Sequence, residues 1–189
     1  PAGLYKYGSI LEKQGNYKDA MIYYQKSADL NFTEAMIGIG NLHEKGLGIP
    51  QDFNQALEFY QKAAELNNAE AMWECGSILE KTENNDLDKS FNYYKMSAEN
   101  NSFKGMKLYA NSLYNGIPIN KQNVSLALFY YKKLAHLGDI SSMRMSATIL
   151  MKSSEIKDQK EAVQFLKAAS DLNDVDSMYL LSIYLIDGI

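Results

Sequence analysis

The chain of 189 residues lacks most of the features that narrow a function quickly. It has one cysteine, Cys75, so no internal disulfide can form, which fits a reducing compartment and lends nothing to an oxidising, exported one. It has a single arginine, Arg144, beside 18 lysines, and a net charge of -4. Bidentate phosphate recognition draws on clustered arginines, so nucleic acid is not an expected partner. Its two histidines, His43 and His136, are far apart in the sequence, and no His-Glu-x-x-His or paired-cysteine spacing accompanies them. The longest near-unbroken apolar run, Tyr179 to Ile186, falls far short of the ~18 residues a spanning helix needs, so direct membrane insertion is not expected. The chain opens Pro1-Ala2-Gly3 without an initiator methionine, so a targeting segment of a longer parent would not be seen. Cysteine usage alone points to a cytoplasmic location.

Only three prolines interrupt the chain, and apolar residues recur three to four apart, which predicts an all-α protein. At 46% hydrophobic and 22% charged residues the composition is that of a globular chain with a core to bury. A small residue followed by Leu or Met recurs as Gly3-Leu4, Ala35-Met36, Ala71-Met72, Gly105-Met106, Ser142-Met143 and Ser177-Met178, spaced 32, 36, 34, 37 and 35. Five residues after each anchor stands Gly8, Gly40, Gly76, Ala110, Ala147 or Ser182; eight after stands Leu11, His43, Leu79, Leu113, Leu150 or Leu185. This segment is helix A. A second anchor, Ala20, Ala56, Ser90, Ala127 or Ala162, marks an aromatic-rich helix B in each of the first five units. The A-to-B distance varies as 17, 21, 19, 22 and 20, whereas the B-to-A distance is 15 every time. Variation is therefore confined to one loop, and the other turn sets how successive units stack.

The ends of the helices carry their own chemistry. Four residues before each B anchor stands Asn16, Asp52, Asp86, Asn123 or Asp158, each an expected N-cap, with Gln55 and Glu161 at capping-box spacing. At the other end Asn31, Asn67, Asn101, Gly138 and Asn173 stand where a left-handed residue stops a helix.

These residues resemble the Sel1-like repeat family, a relative of the tetratricopeptide repeat with a variable A-to-B loop, over essentially the whole chain. The second unit matches best: Ile39-Gly40, Glu44-Lys45-Gly46-Leu47-Gly48-Ile49, Asp52, Ala56 and Tyr60-Gln61-Lys62-Ala63-Ala64. The Gly-x-Gly turn survives in part as Gly116-Ile117-Pro118-Ile119 and is missing from units one, three and five. The resemblance implies a right-handed α-α superhelix, a solenoid of five helix-turn-helix repeats plus a sixth A helix, forming one domain over 1-189. The units run about 1-33, 34-69, 70-103, 104-140, 141-175 and, in part, 176-189. It also implies A helices on the concave side and a role as scaffold or adaptor.

Most single-residue candidates read as packing. His43 takes a slot held elsewhere by leucine, Cys75 aligns with Tyr7, Ile39 and Tyr109, and the repeated methionines read as gap-fillers against the neighbouring unit. Ser154-Glu155-Ile156-Lys157 matches a Ser-x-x-Lys string by chance, since it lacks the companion motifs. Two Asn-x-Ser/Thr strings, at Asn31 and Asn123, are about what composition alone yields. No catalytic residue, cofactor or metal is expected.

The concave face remains. In tetratricopeptide-like stacking the second position after the A anchor points into the groove, giving Tyr5, Ile37, Trp73, Lys107, Arg144 and Tyr179. The sixth position adds Ser9, Asn41, Ser77, Asn111, Thr148 and Ile183. The only tryptophan and the only arginine share the first ladder, and both types are enriched at interface hot spots. Tyr5, Ile37, Asn41, Trp73, Ser77, Lys107, Asn111, Arg144 and Tyr179 are thus the expected protein- or peptide-binding residues. The alternatives are a structural or oligomerisation arm of a larger enzyme or signalling protein and, more remotely, a hydrolase. Finally, Asp176 to Ile186 reads as a sixth helix A that is apolar nearly all round, with Asp187-Gly188-Ile189 as the start of a loop. A helix of that kind is normally buried, so further repeats and a homodimer through Leu181 and Leu185 are expected.

Overall fold

The computed structural model describes residues 1–83, 85–118 and 120–186, and every regular element among them is an α-helix. The A helices are α1 (Ala2–Lys13), α3 (Thr33–Lys45), α5 (Ala69–Leu79), α7 (Phe103–Asn115), α9 (Ile140–Leu150) and α11 (Val175–Ile186). The B helices are α2 (Tyr17–Ala28), α4 (Phe53–Glu65), α6 (Leu87–Glu99), α8 (Val124–His136) and α10 (Ile156–Asp171). The chain is an all-α helical-repeat protein of the solenoid class. Two expectations, Ile119 in the partial turn and the loop start at Asp187-Gly188-Ile189, lie outside the described residues. The chain divides into two compact units, Pro1–Gly105 and Met106–Ile189.

In the first unit each helix packs on the next in order from α1 to α6, around a core of alanines, Tyr24, Met36, Ile39, Leu42, Tyr60, Met72, Cys75 and Ile78. In the second, α8 packs on α9, α9 on α10 and α10 on α11; Met143, Leu150, Phe165 and Leu166 fill the core toward its C-terminal end. One pairing recurs. The tyrosine four residues after a B anchor lies flat against the small residue five after the A anchor. Tyr60 covers Gly40 and Tyr94 covers Gly76 so closely that a Cβ on either glycine would collide with the ring. The ring's hydroxyl then returns to the A helix. Tyr24 donates to Glu12 (2.5 Å), Tyr60 to Asn41 (2.8 Å) and Glu44 (2.7 Å), and Tyr131 to Asn111 (2.8 Å). Each large apolar ring is thus buried without stranding its polar tip.

The invariant 15-residue step has one cause. Asn31, Asn67, Asn101, Gly138 and Asn173 all take left-handed φ values, from 59 to 90 degrees. The next residue's N–H then reaches five residues back: Phe32 to Ser27, Asn68 to Ala63, Ser102 to Ser97, Asp139 to Leu134 and Asp174 to Ala169 (3.1 to 3.3 Å). That residue is also the N-cap position of the next A helix. Asn68, Ser102, Asp139 and Asp174 accept backbone N–H bonds there through their side chains. The variable loop is closed differently. The backbone N–H of Asn16, Asp52 and Asn123 bonds to the carbonyl of Leu11, His43 and Leu113, the residue eight after the A anchor in each unit. Loops of different length therefore share the same two ends. Gly46 and Gly48, both at positive φ, make the sharp turn in the second unit.

Capping of the B helices departs in part from expectation. Asp52, Asp86 and Asn123 cap as expected, accepting from Asn54 and Gln55, from Lys89, and from Leu126. Asn16 sits at the N-cap of α2 without a side-chain bond. Asp158 is not a cap at all: α10 begins at Ile156, so Asp158 lies inside its first turn, where a carboxylate still faces the positive end of the helix dipole. The Asp52–Gln55 box is one-sided, because the Gln55 amide goes to Glu58 and the Asp52 N–H to His43.

Asp52→Ala is expected to lower stability by about 0.5–2 kcal/mol, the range for a lost N-cap, and Asp158→Ala by about 0.5 kcal/mol or less. Urea melts of both variants check this. Gly40→Ala is expected to cost about 1–2 kcal/mol, although alanine is the better helix former, because the added methyl overpacks the Tyr60 ring. A neutral or stabilising melt would contradict that account.

Candidate functional site

The second-position side chains do not share one environment. In the first unit Tyr5 is half-buried, its ring 5.6 Å from Tyr24 and 5.4 Å from Phe32. Ile37 is only 5% exposed and belongs to the core, so it is not an open binding residue; apolar neighbours from adjacent helices close over it. Trp73 is half-buried with the Lys104 ammonium 3.8 Å from its ring centroid, a cation–π contact that holds the indole while leaving part of it open. Asn41 is engaged by Tyr60, and Ser77 is half-buried.

In the second unit the two cations are already paired. Lys107 reaches Asp139 at 2.9 Å, and Arg144 reaches Asp174 at 3.1 Å and Asp176 at 2.5 Å through Nη1. Asp139 and Asp174 are the N-caps of α9 and α11. The second-position residue of one A helix is therefore tied to the start of the next. Burial raises the Asp139 carboxyl, but hydrogen bonds from Ser142, Ser141 and Lys107 outweigh it and hold it below the usual carboxylate range. For Asp174 the hydrogen bond from Ser177 leads and Arg144 adds to it. Asn111 accepts from the Tyr131 hydroxyl, so like Asn41 it has a structural partner. Tyr179 is 65% exposed.

Sequence reasoning passed over the acids. Asp139 and Asp174 carried a signal, a polar residue three before the A anchor, that recurs at Asn68 and Ser102. Glu74 carried none. It stands beside Trp73, and burial, followed by the nearby Glu44, pushes its carboxyl up to about 7. Glu44 behaves oppositely: burial raises it, but hydrogen bonds from Lys81 (2.6 Å) and Tyr60 outweigh burial and lower it. Burial pushes the Cys75 thiol up to about 12, as befits a core residue. His43 is half-buried, stacked at 6.0 Å on Phe59. Met36, Met72, Met106 and Met143 are buried as packing residues, while Met178 on α11 is exposed. Leu181 packs against the core of the second unit, so only Leu185 of the expected self-association pair is open. Among the described residues no three His, Cys, Asp or Glu side chains gather as metal ligands, and no helix is long and apolar enough to cross a membrane.

Repeated helix pairs joined by one recurring turn define a helical-repeat protein. The Sel1 repeat family matches residues 33–68, 69–102, 104–139 and 143–174, and a tetratricopeptide repeat matches 2–34. The chain belongs to the Sel1 repeat family, which generally serves protein–protein interaction and is typically non-catalytic. No curated protein matches it. Among solved structures it is similar to a protective antigen of uropathogenic Escherichia coli strains that displays an SLR fold. That match has 21% identity and a TM-score of 0.81, over 98% of this chain and 41% of that one. It is also similar to a Sel1 repeat protein from Oxalobacter formigenes, with 22% identity and a TM-score of 0.77, over 93% of this chain and 73% of that one. The chain thus spans less than half the length of the Escherichia coli protein. At these identities the likeness speaks for the fold alone.

Glu74 generates a pH prediction. Its carboxyl, pushed up to about 7 in the folded chain, lies above the ordinary value of 4.5, so ionising it opposes folding. The penalty is absent below about pH 4.5, grows as pH rises to about 7, and stays constant above. Glu74→Gln is therefore expected to raise stability at pH 8 by about 1 kcal/mol, after discounting for partial exposure, and to leave it unchanged near pH 4.5. Chemical denaturation at the two pH values checks the sign.

Proposed function

We propose that this chain is a noncatalytic scaffold that binds a peptide or protein segment along the face of its A helices. In the first unit the binding positions are Tyr5 and Trp73, with Asn41 and Ser77 beside them in register. In the second they are Lys107, Arg144 and Tyr179, with Asn111. Ile37 is left out because it is core. The observation that carries the reading is the register itself. At one position per repeat, Trp73, Lys107 and Arg144 stay partly open although the residue before each, Met72, Met106 and Met143, is buried, and Tyr179 at the same position is fully open. Aromatic and guanidinium groups held in place before a ligand arrives lose little side-chain entropy on binding.

The in-chain ion pairs shape what such a ligand would be. Lys107 and Arg144 are largely neutralised by Asp139, Asp174 and Asp176, so the face favours apolar and hydrogen-bonding segments over strongly acidic ones. Arg144 makes both its ion pairs through Nη1, leaving the rest of the guanidinium for carbonyl acceptors.

A pull-down with the wild-type chain, followed by identification of the partner and titration of that partner, tests the reading. Trp73→Ala and Arg144→Ala together are expected to weaken binding by more than about ten-fold, whereas Lys18→Ala on α2 leaves it unchanged. Equal retention by all three proteins would favour a purely structural arm.

A further inference from the structure

Four of the five B helices begin at one place in the repeat. α2, α4, α6 and α8 start three residues before their anchors, whereas α10 starts six before Ala162, at Ile156. The extra turn has its own composition. Six and five residues before the anchor the other units carry polar residues, glycine or proline, as in Pro50-Gln51 and Lys121-Gln122, while the fifth carries Ile156-Lys157. Ile156 is 69% exposed. With Lys157, Lys160, Glu161 and Gln164 it lines a groove of about 750 Å³ shared with Lys132 of α8.

The charge in that groove is one-sided. Lys132 reaches Glu161, the one carboxylate in the lining, at 2.7 Å. Lys157 and Lys160 are exposed and make no ion pair among the described residues. α8 has no acidic residue along its whole length. Three lysines against one carboxylate leave a local charge of +2 in a chain whose net charge is -4. The repeat also shows that this surface stays open inside an array. Lys160, two residues before its anchor, corresponds to Lys18, Asn54, Asp88 and Ser125; Gln164, two after, corresponds to Ile22, Glu58, Asn92 and Phe129. All eight are exposed although another B helix follows each of them.

We propose that the α8–α10 groove docks a short acidic segment of a partner protein, with two of its carboxylates on Lys157 and Lys160 and an apolar side chain on Ile156. Charge complementarity selects this occupant. The two free ammonium groups take carboxylates without breaking an existing pair, and residues three apart on a helix stand about 5–6 Å apart, within reach of neighbouring acids on one segment. Long polyanions are disfavoured, because a nucleic-acid strand extends past the ~10 Å within which the local +2 acts and meets the net-negative chain beyond it. Lys132 is only 30% exposed, recessed where a flat anionic bilayer does not reach. This surface belongs to the B helices and does not rest on the A-helix reading, so either proposal can fail alone.

The test uses a fluorescent peptide, Gly-Glu-Glu-Leu-Glu-Glu-Gly, titrated with the intact chain and followed by anisotropy. Saturable one-to-one binding is expected, weakening as salt rises from about 0.05 to 0.5 M. Lys157→Glu together with Lys160→Glu weakens it more than about ten-fold with the helical circular dichroism unchanged. Lys13→Glu together with Lys18→Glu, which alters net charge equally in the first unit, leaves binding within about two-fold, as does Trp73→Ala. Ile156→Ser weakens binding about three-fold, and a peptide with serine in place of leucine no longer senses that substitution. Absence of saturable binding overturns the proposal. So does equal weakening by the Lys13 and Lys18 pair, which would reduce the attraction to overall charge. Co-sedimentation with phosphatidylserine–phosphatidylcholine vesicles that the peptide does not displace would assign the face to a membrane. Light scattering that shows a dimer, lost in the Lys157 and Lys160 double variant, would assign it to a second copy, and either result likewise overturns the proposal.

Discussion

The contact on which the rest depends is a tyrosine ring laid against a glycine across the helix pairs of the first unit, Tyr24 on Gly8, Tyr60 on Gly40 and Tyr94 on Gly76. It needs two conditions at once: no large side chain under the ring, and an acceptor at its rim for the hydroxyl. Gly40 with Asn41 and Glu44 meets both for Tyr60, and Gly76 provides the first for Tyr94. The close approach brings the helix backbones together, and the alanines of the core, such as Ala20, Ala56 and Ala63, are fully buried. The buried hydroxyl would otherwise be a liability of about 1–3 kcal/mol, and the A-helix acceptor removes it. Asn41 and Asn111 therefore anchor the pairing by accepting from the Tyr60 and Tyr131 hydroxyls.

A second constraint follows from the first. Rings and small residues align in every unit only if each B helix hands over to the next A helix with the same geometry. The left-handed asparagine or glycine, the backbone bond five residues back and the capping side chain do this within a few residues. The other loop has no such duty, since its ends are joined by one backbone bond that tolerates different lengths between them. Variation thus accumulates where it leaves the stacking undisturbed.

Ion pairing has been laid over these constraints. At Lys107 and Arg144 the second position of an A helix reaches the start of the next through an ion pair to a capping carboxylate. The same acid satisfies a helix N-terminus and neutralises a cation. Lys107 and Arg144 are thereby held in fixed orientations, with little charge left unpaired.

Much of this was legible from the sequence because repetition converts one observation into six. The period, the constant 15-residue step, the left-handed stops and the all-α class each follow from backbone rules that act over a few residues, and the repeated helix pairs of the structure follow them. Asp158 escaped because a run of helix-forming residues extended α10 backward past it, a competition that spacing does not display. Ile37, Lys107 and Arg144 share one register, yet the first is core and the others are paired. Period assigns a face to a residue, whereas burial and ion pairing depend on what the neighbouring helix presents there. Glu74 is the sharpest case. Its carboxyl is raised by burial and by Glu44, a residue 30 positions earlier. Local sequence sets which backbone groups need partners, but the electrostatic environment of a side chain is a sum over everything packed around it, and that sum exists only once the helices have come together.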